Sequence, residues 1–377
     1  MSNFEIRNGV PSPIIGSDGT EYASIRKLNK VVPVRRKTIA ESLKTNGFYK
    51  HNGITYTFKN PIPNSSEEPQ KQEINDSLYK EYENFKNVKE LPFEKYEFKI
   101  KKKTSGKKYA IALFSDAHIE ETVTLTSVLG KNEYNIDIAK QRIENYFVNL
   151  ANCLNTDGVE NLIFASLGDT ISGFIHEELQ ETNQLSPSEA TLLAQNLIYS
   201  GLSYLCEQTK LKQILFIGIV GNHSRTTKKI QHSNGYKMSY EWMMYKNIEQ
   251  QCKLTNLPIE FNIPDSELAI VDTDDDRRFI FCHGFQVKST GTGAICGIYP
   301  ALNRLALKWH NTFNQDRIFL GHFHSCTSIS NAVVNGSIIG YNTFAMTNGF
   351  TCEEPCQYYV VYDSEVGELL ERKIYCK

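Results

Sequence analysis

No stretch of this 377-residue chain approaches the run of about 20 apolar residues that a membrane span needs. Residues Met1 to Val10 also lack the basic-then-apolar pattern of a secretory signal. The expectation is a cytoplasmic chain with no membrane partner. An excess of one charge is missing too, because 41 Lys and Arg nearly cancel 43 Asp and Glu, leaving a formal −2. That excludes a uniformly basic packing protein, although a near-zero sum can conceal segments of opposite sign. The nine cysteines include no CxxC pair, so a zinc knuckle and the common redox motif are excluded and reduced, mostly buried thiols are expected. There is no Gly-x-Ser-x-Gly elbow and no Cys/His nucleophile signature. Internal repeats are absent as well.

What is present is an ordinary globular composition, 40% apolar and 22% charged, in a chain long enough for two domains. The charge is unevenly spread. Over residues 1–60, ten Lys and Arg face four acids, a local charge of +6. Residues 61–95 hold PIPNSSEEPQKQEIND and a Lys/Glu-mixed stretch without a sustained apolar face, which predicts a linker whose second half can be helical. Residues 96–377 alternate apolar, β-rich runs with amphipathic helices, the pattern of an α/β catalytic domain. Expected strands are Tyr109–Phe114, Asn161–Ala165, Gln213–Val220, Phe279–Cys282, Arg317–Leu320, Ser337–Tyr341 and Tyr358–Tyr362. Ile136, Ala139, Ile143, Phe147, Leu150 and Leu154 recur at steps of three and four and predict one apolar helix face. Ser186, Pro187 and Glu189 form a helix start with a capping box.

Five polar strings follow expected strand ends: Ser115-Asp116-Ala117-His118, Leu167-Gly168-Asp169, Gly221-Asn222-His223, Cys282-His283-Gly284 and Gly321-His322-Phe323-His324. Each offers one or two metal donors. Spacing of two residues lets Asp116 and His118, or His322 and His324, converge on one ion from a loop. Imidazole, carboxylate and amide donors together suit Mn, Fe or Zn and are too rich in nitrogen for Ca or Mg. Seven donors exceed one tetrahedral site, so two divalent ions are expected, with Asp169 as the acid between two histidine-rich sets. Such a pair activates water for attack on a phosphoryl group without a protein nucleophile.

In this order and at these intervals the strings resemble the calcineurin-like metallophosphoesterase superfamily over roughly residues 105 to 350. The resemblance implies a four-layer αββα sandwich holding a pair of Mn, Fe or Zn ions, with Mn first among them. It implies that Asp116, His118 and His324 hold one ion, that Asn222, His283 and His322 hold the other, and that Asp169 bridges. His223 would act on the scissile phosphate as general acid or transition-state stabiliser. The chain departs from the family where an acid usually follows the Asn-His pair: Ser224 stands there, able to accept a hydrogen bond from His223 but not to stabilise an imidazolium.

The metal site fixes a reaction and leaves the substrate open. Arg225, Lys228 and Lys229 follow the Asn-His pair and are candidate phosphate-binding side chains, with a solvated charged loop as the alternative. His176 and Glu178, in a stretch resembling phage-encoded, nuclease-like metallophosphoesterases, are candidates for the cleft wall, with packing as the alternative. In residues 1–60 a short helix is expected from Ser24 through Val32 and a second from Arg35 to Thr45, with Ile39 and Leu43 inward and Arg35, Arg36, Lys37, Ser42 and Lys44 outward. Asn52-Gly53 between β-rich flanks predicts a hairpin, completing a small winged module. The string SIRKLNKVVPVRRKTIAESLKTNGF resembles the NUMOD-type helix-turn-helix modules of homing endonucleases and phage proteins. It implies DNA contact through Arg35, Arg36, Lys37 and Lys44, with protein docking as the alternative.

The expectation is thus a metal-dependent phosphodiesterase acting on DNA. Its rivals are an enzyme for nucleotides or other small phosphoesters and a non-enzymatic DNA-binding protein. A homodimer and an ATPase partner are implied only by the likeness to SbcD-type nucleases within the superfamily.

Overall fold

The computed structural model describes residues 13–59, 80, 83, 106–287 and 298–377. Apart from helical positions Lys80 and Glu83, the expected linker lies outside the described residues, as does Cys296. The chain divides into two compact units, Met1–Ile100 and Lys101–Lys377.

In the first unit, β1 (Ile14–Gly16), β2 (Glu21–Tyr22), β3 (Phe48–His51) and β4 (Ile54–Phe58) form an antiparallel sheet in the order β2-β1-β4-β3. It packs with α1 (Ile25–Leu28) and α2 (Arg36–Asn46) around Ile14, Leu28, Val32, Ile39, Leu43 and Tyr56. The hairpin turns at Asn52 and Gly53, both with positive φ, as the tight primed turn requires. The sheet has two strands more than a lone hairpin, and α1 ends at Leu28 instead of Val32. Asn29 explains the early stop, since its side-chain amide donates to the carbonyls of Val32 and Val34 and folds the chain into a turn. Arg35 and Lys37 are exposed, whereas the Ser42 hydroxyl is taken by the Phe48 carbonyl at 2.8 Å. The side chains of Arg36 and Lys44 lie outside the description.

The second unit is α/β, and its hydrophobic residues alternate so as to fill three apolar layers. Strands β5 (Lys108–Phe114), β6 (Asn161–Ser166), β7 (Gln213–Gly218) and β8 (Ile259–Asn262) run parallel. Strands β14 (Cys356–Asp363) and β15 (Gly367–Tyr375) extend the sheet antiparallel on the β5 side. A second sheet has the order β12 (Thr327–Ile329), β13 (Ala332–Val334), β11 (Arg317–Leu320), β10 (Arg278–Cys282) and β9 (Leu268–Asp272). With a side-chain period of two, Ile111 and Leu113 of β5 join Phe281, Phe319 and Val333 between the sheets. Ala110, Ala112 and Phe114 face the other way, onto α3 (Ile136–Asp157), α5 (Pro187–Gln208) and α6 (Tyr240–Leu254). Ile280 and Leu320 of the second sheet pack outward on Leu302 and Ala306 of α7 (Tyr299–Phe313). The layers are therefore helix, sheet, sheet, helix, the expected αββα order. Two short helices, α4 (Glu177–Thr182) and α8 (Thr343–Thr347), sit in connecting segments.

The helix starts follow their local chemistry. Asn135 accepts the N–H groups of Asp137 and Ile138 at the head of α3, and Ser186 with Glu189 completes the capping box of α5. One expected strand is absent: Ser337–Tyr341 is a buried loop. Arg142 donates to the carbonyls of Ile338 (2.9 Å) and Ile339 (2.7 Å), and Asn132 to those of Ile339 (2.8 Å) and Tyr341 (2.9 Å). These side chains satisfy the backbone that a neighbouring strand would otherwise pair. Strand β7 stops at Gly218, two residues before Val220. All eight described cysteines are free thiols, and no helix among the described residues is long and apolar enough to cross a membrane.

Helix α5 passes so close to α3 that a Cβ on Gly201 would lie only 2.3–2.4 Å from ring atoms of Phe147. Gly201→Ala should therefore destabilise the protein by about 1–3 kcal/mol through overpacking, despite a helix-propensity gain of roughly 1 kcal/mol. Urea unfolding measures this, and a raised midpoint would show that the helices can separate at no cost.

Candidate metal centre

Sheet register levels the strand ends. Phe114, Ser166 and Gly218 lie side by side at the ends of β5, β6 and β7, and Cys282 and Leu320 are partners at the ends of β10 and β11. The loops that follow carry all seven expected donors to one edge of the two-sheet stack. Five donors have left-handed backbone: Asp116 (φ 53°), His118 (46°), Asp169 (51°), His322 (72°) and His324 (51°). For a residue with a Cβ that conformation costs about 1–3 kcal/mol and is usually found where function demands a particular direction. Hydrogen bonds between loops hold it, including Asp116 N–H to Gly168 O (3.0 Å), His118 N–H to Asp169 O (3.1 Å) and His322 N–H to Asp116 Oδ2 (3.0 Å).

The donor atoms form two groups. Asp116, His118 and His324 make the first, with His118 Nε2 and His324 Nε2 3.3 Å apart and His324 Nε2 3.3 Å from Asp116 Oδ1. Asp169, His283 and His322 make the second, with His283 Nε2 2.8 Å from Asp169 Oδ2 and 3.1 Å from Asn222 Oδ1. The atoms within each group lie within 4.8 Å of one another. Donor chemistry fits a pair of divalent cations: imidazole nitrogens turned toward one another and toward carboxylates, in a setting where Asp116 and His283 are fully buried.

Tautomers follow from the outer partners. His283 Nδ1 sits 2.6 Å from the Leu167 carbonyl, so it carries the proton and leaves Nε2 as donor. His118 Nδ1 lies 3.0 Å from Ser172 Oγ, whose hydroxyl donates to Glu121 Oε2 at 3.1 Å. Ser172 thus accepts from His118 and passes the constraint to Glu121, which Asn342 holds from the other side at 3.0 Å. Glu120 takes the backbone N–H groups of Ser172 (2.9 Å) and Gly173 (2.8 Å) on one oxygen. Burial pushes its carboxyl up to about 7. None of Ser172, Glu120 and Glu121 carries a motif that marks it in the sequence; the two acids that follow the Asp-x-His string after Ile119 look like solvated charges.

Burial disfavours every charge here, and pairing decides which survive. Burial opposes ionisation of Asp169, yet His283 and His223 hold its carboxyl well below the ordinary range. Burial also opposes ionisation of Asp116, and His324 overcomes it. Burial works against a charge on His283 as well, but Asp169 outweighs it and lifts the imidazole to about 9. Burial and then His223 drive His118 far down, and burial with His283 takes His322 to about 4, leaving both as neutral lone-pair donors. Protons on His283 and His324 occupy positions that a cation would take, so metal uptake should release protons.

His223 is anchored twice: its backbone N–H donates to Asp169 Oδ1 at 2.8 Å, and its Nδ1 lies 3.1 Å from the Ser172 carbonyl. Its ring meets His118 edge-on at 4.8 Å. The expected bond to Ser224 is not made, because the Ser224 hydroxyl donates to Glu241 at 2.7 Å and faces away in a buried pocket. Arg225 also differs from expectation. Its guanidinium donates to the carbonyls of Asn222 and Thr227 and braces its own loop, while Lys228 and Lys229 are exposed. The exposed His176 stands beside His223, ring centroids 5.9 Å apart, and Glu178 is exposed on the following turn.

No family model and no curated protein sequence matches the chain. Similarity is found to solved structures. One is Vps29 complexed with zinc from Entamoeba histolytica, 10% identical, TM-score 0.29, covering 71% of this chain and 99% of that one. A conserved uncharacterised protein from Streptococcus pneumoniae TIGR4, described as a predicted phosphoesterase, is 13% identical with a TM-score of 0.27, covering 71% and 97%. A 5'-nucleotidase from Candida albicans SC5314 is 9% identical with a TM-score of 0.34, covering 73% of this chain and 53% of that one.

The Ser172 hydroxyl offers a test of the outer partners. Ser172→Ala removes the acceptor for His118 Nδ1 but keeps the carbonyl that holds His223. It should weaken uptake of the ion held by Asp116, His118 and His324 by about tenfold, measured by calorimetric titration of the metal-free chain. Unchanged affinity would mean that packing alone orients His118.

Proposed function

We propose that the chain is a metal-dependent phosphodiesterase of the calcineurin-like type that hydrolyses DNA. The observation that carries the phosphoesterase reading is the pair of donor groups, Asp116, His118 and His324 beside Asp169, His283 and His322, at one edge of an αββα stack. These residues would hold two divalent cations, manganese by preference, which when bound would supply Lewis acidity for activating water and offsetting charge on phosphoryl oxygens.

The chain's own side chains do the rest. Asp169 would be the acid shared between the two ions; its Oδ2 lies toward His283 and its Oδ1 accepts the His223 N–H. Asn222 contributes its amide oxygen beside His283. His223 donates through Nδ1 to the Ser172 carbonyl, which leaves Nε2 as the nitrogen that hands a proton to the departing oxygen. With Ser224 committed elsewhere, what favours a charge on this imidazole is Asp169, while burial pulls it down. Burial thus makes His223 a ready proton donor once it is charged.

The DNA reading rests on two basic surfaces. Lys228 and Lys229 are exposed on the loop after His223, and Arg35 and Lys37 are exposed at the head of α2 in a segment of charge +6. Exposed cations of this kind neutralise phosphates without reading bases. The rival, an enzyme for nucleotides or other small phosphoesters, draws on the same metal centre and needs neither surface.

Manganese-dependent cleavage of labelled DNA is expected, and Asp169→Asn should abolish it. Turnover of small phosphodiesters with no DNA cleavage under any metal would establish the rival. Binding to DNA should weaken with salt, and Arg35→Ala with Arg36→Ala should lower it at every salt concentration. Identical salt titrations for the double variant and the parent would remove α2 from the binding surface.

A further inference from the structure

Resting on the metal-centre reading above, we infer that Glu241 is a positioning residue that locks the Asp169 loop to the Asn222 loop and thereby fixes the donors of the second ion. Glu241 stands in the first turn of α6 and is 1% exposed. One carboxylate oxygen accepts the backbone N–H of Thr170 at 2.6 Å, directly after Asp169. The other accepts the backbone N–H of Gly221 at 2.7 Å, directly before Asn222, together with the Ser224 hydroxyl at 2.7 Å, directly after His223. A single side chain therefore grips three points on two loops that together carry Asp169, Asn222 and His223.

The surroundings hold this carboxylate in place. Ser239 caps α6 by accepting the Glu241 N–H at 3.2 Å, and its hydroxyl lies 2.7 Å from that of Ser224. One helical turn later Tyr245 donates to the Ile219 carbonyl at 3.1 Å and lies 3.0 Å from Ser166 Oγ. Glu241 and Tyr245, four apart on one face of α6, thus pin the ends of β6 and β7. The grip also needs a carboxylate in particular. Its two oxygens meet three donors and offer none in return, whereas an amide would turn an NH2 group against an N–H or O–H on one side.

The two loops can come this close only because both facing residues are glycine. A Cβ on Gly168 (φ +89°) would collide with the Gly221 backbone, and one on Gly221 would collide with Asp169. Glu241 is what holds them together once the side chains are out of the way. It supplies a carboxylate to the Asn-His segment from sixteen residues beyond Arg225, where the sequence places only Ser224 beside His223.

The test titrates cobalt(II) into the metal-free full-length chain by calorimetry, with visible absorption reporting the coordination of each ion. The parent should take up two ions. Glu241→Gln should keep the ion of Asp116, His118 and His324 at parental affinity and bind the other at least about tenfold more weakly, with an altered cobalt spectrum for that ion. Glu241→Asp retains the charge but is shorter by one methylene, so it should recover part of the loss; it also serves as the reading if Glu241→Gln does not fold. Parental affinity and spectrum for both ions in the folded variant would overturn the role of Glu241 alone. A parent that binds no second ion would overturn the metal-centre reading and this inference with it.

Discussion

Everything at the metal centre depends on how closely two turns approach each other, one at Gly168 and one at Gly221. Their backbones meet where no side chain fits, and Asp169 is held in the gap by the N–H of His223. If the turns stood apart by the width of a methyl group, Asp169 and Asn222 could not both reach His283. The hydrophobic seam between the sheets sets the coarse position, because Phe281 and Phe319 of one sheet pack against Ile111 and Leu113 of the other. Sheet register then sets the height of each loop. The last few tenths of an ångström come from polar contacts, and this is where the left-handed residues concentrate.

That concentration has a physical cause. A donor two to four residues beyond a strand end is carried on past the sheet edge unless the chain turns back. Left-handed φ at Asp116, His118, Asp169, His322 and His324 makes that turn without an intervening residue. Backbone groups freed by the turns are taken up across loops, as when Gly168 O accepts from Asp116 and Asp169 O from His118. Local strain is offset by bonds to other loops, so the site is stable only as an assembled whole.

The sequence made most of the candidate site legible because the donors are local: each string is three or four residues long and follows an apolar run. The αββα order was legible for the same reason, through alternation in the strands and the apolar stripe of α3. What was not legible is contact between distant segments. Ser337–Tyr341 has the apolar run of a strand, but its backbone is claimed by Arg142 and Asn132, some 200 residues away in sequence. Strands β9, β13 and β15 are short or half-polar and carry too little periodicity. Glu241 is the sharper case. An acid one residue into a helix after a capping serine is already accounted for by helix electrostatics, so nothing marks it as serving another loop. Ser224 misleads in the opposite sense, since its nearest neighbour in sequence is His223 and its partner in space is Glu241.

Charge balance gives the arrangement its direction. Among the inner donors only Asp116 and Asp169 are carboxylates, and the others are neutral when bound to a cation. Two divalent ions held there would therefore leave a local surplus of positive charge, which an anionic phosphoester would relieve. The outer acids face away from the ions: Glu120, Glu121 and Glu241 accept from loop N–H, hydroxyl and amide donors. Arg225, the cation nearest the Asn-His pair, is spent on its own loop. In the proposed reaction, attraction for the phosphate would thus reside in the ions. Under the proposed DNA reading, grip on the rest of a long polyanion would come from exposed cations elsewhere, such as Lys228 and Lys229 on the loop after His223 and Arg35 and Lys37 at the head of α2. In that proposal chemistry and affinity would be carried by different parts of the chain, and a net charge of −2 does not exclude a nucleic-acid substrate.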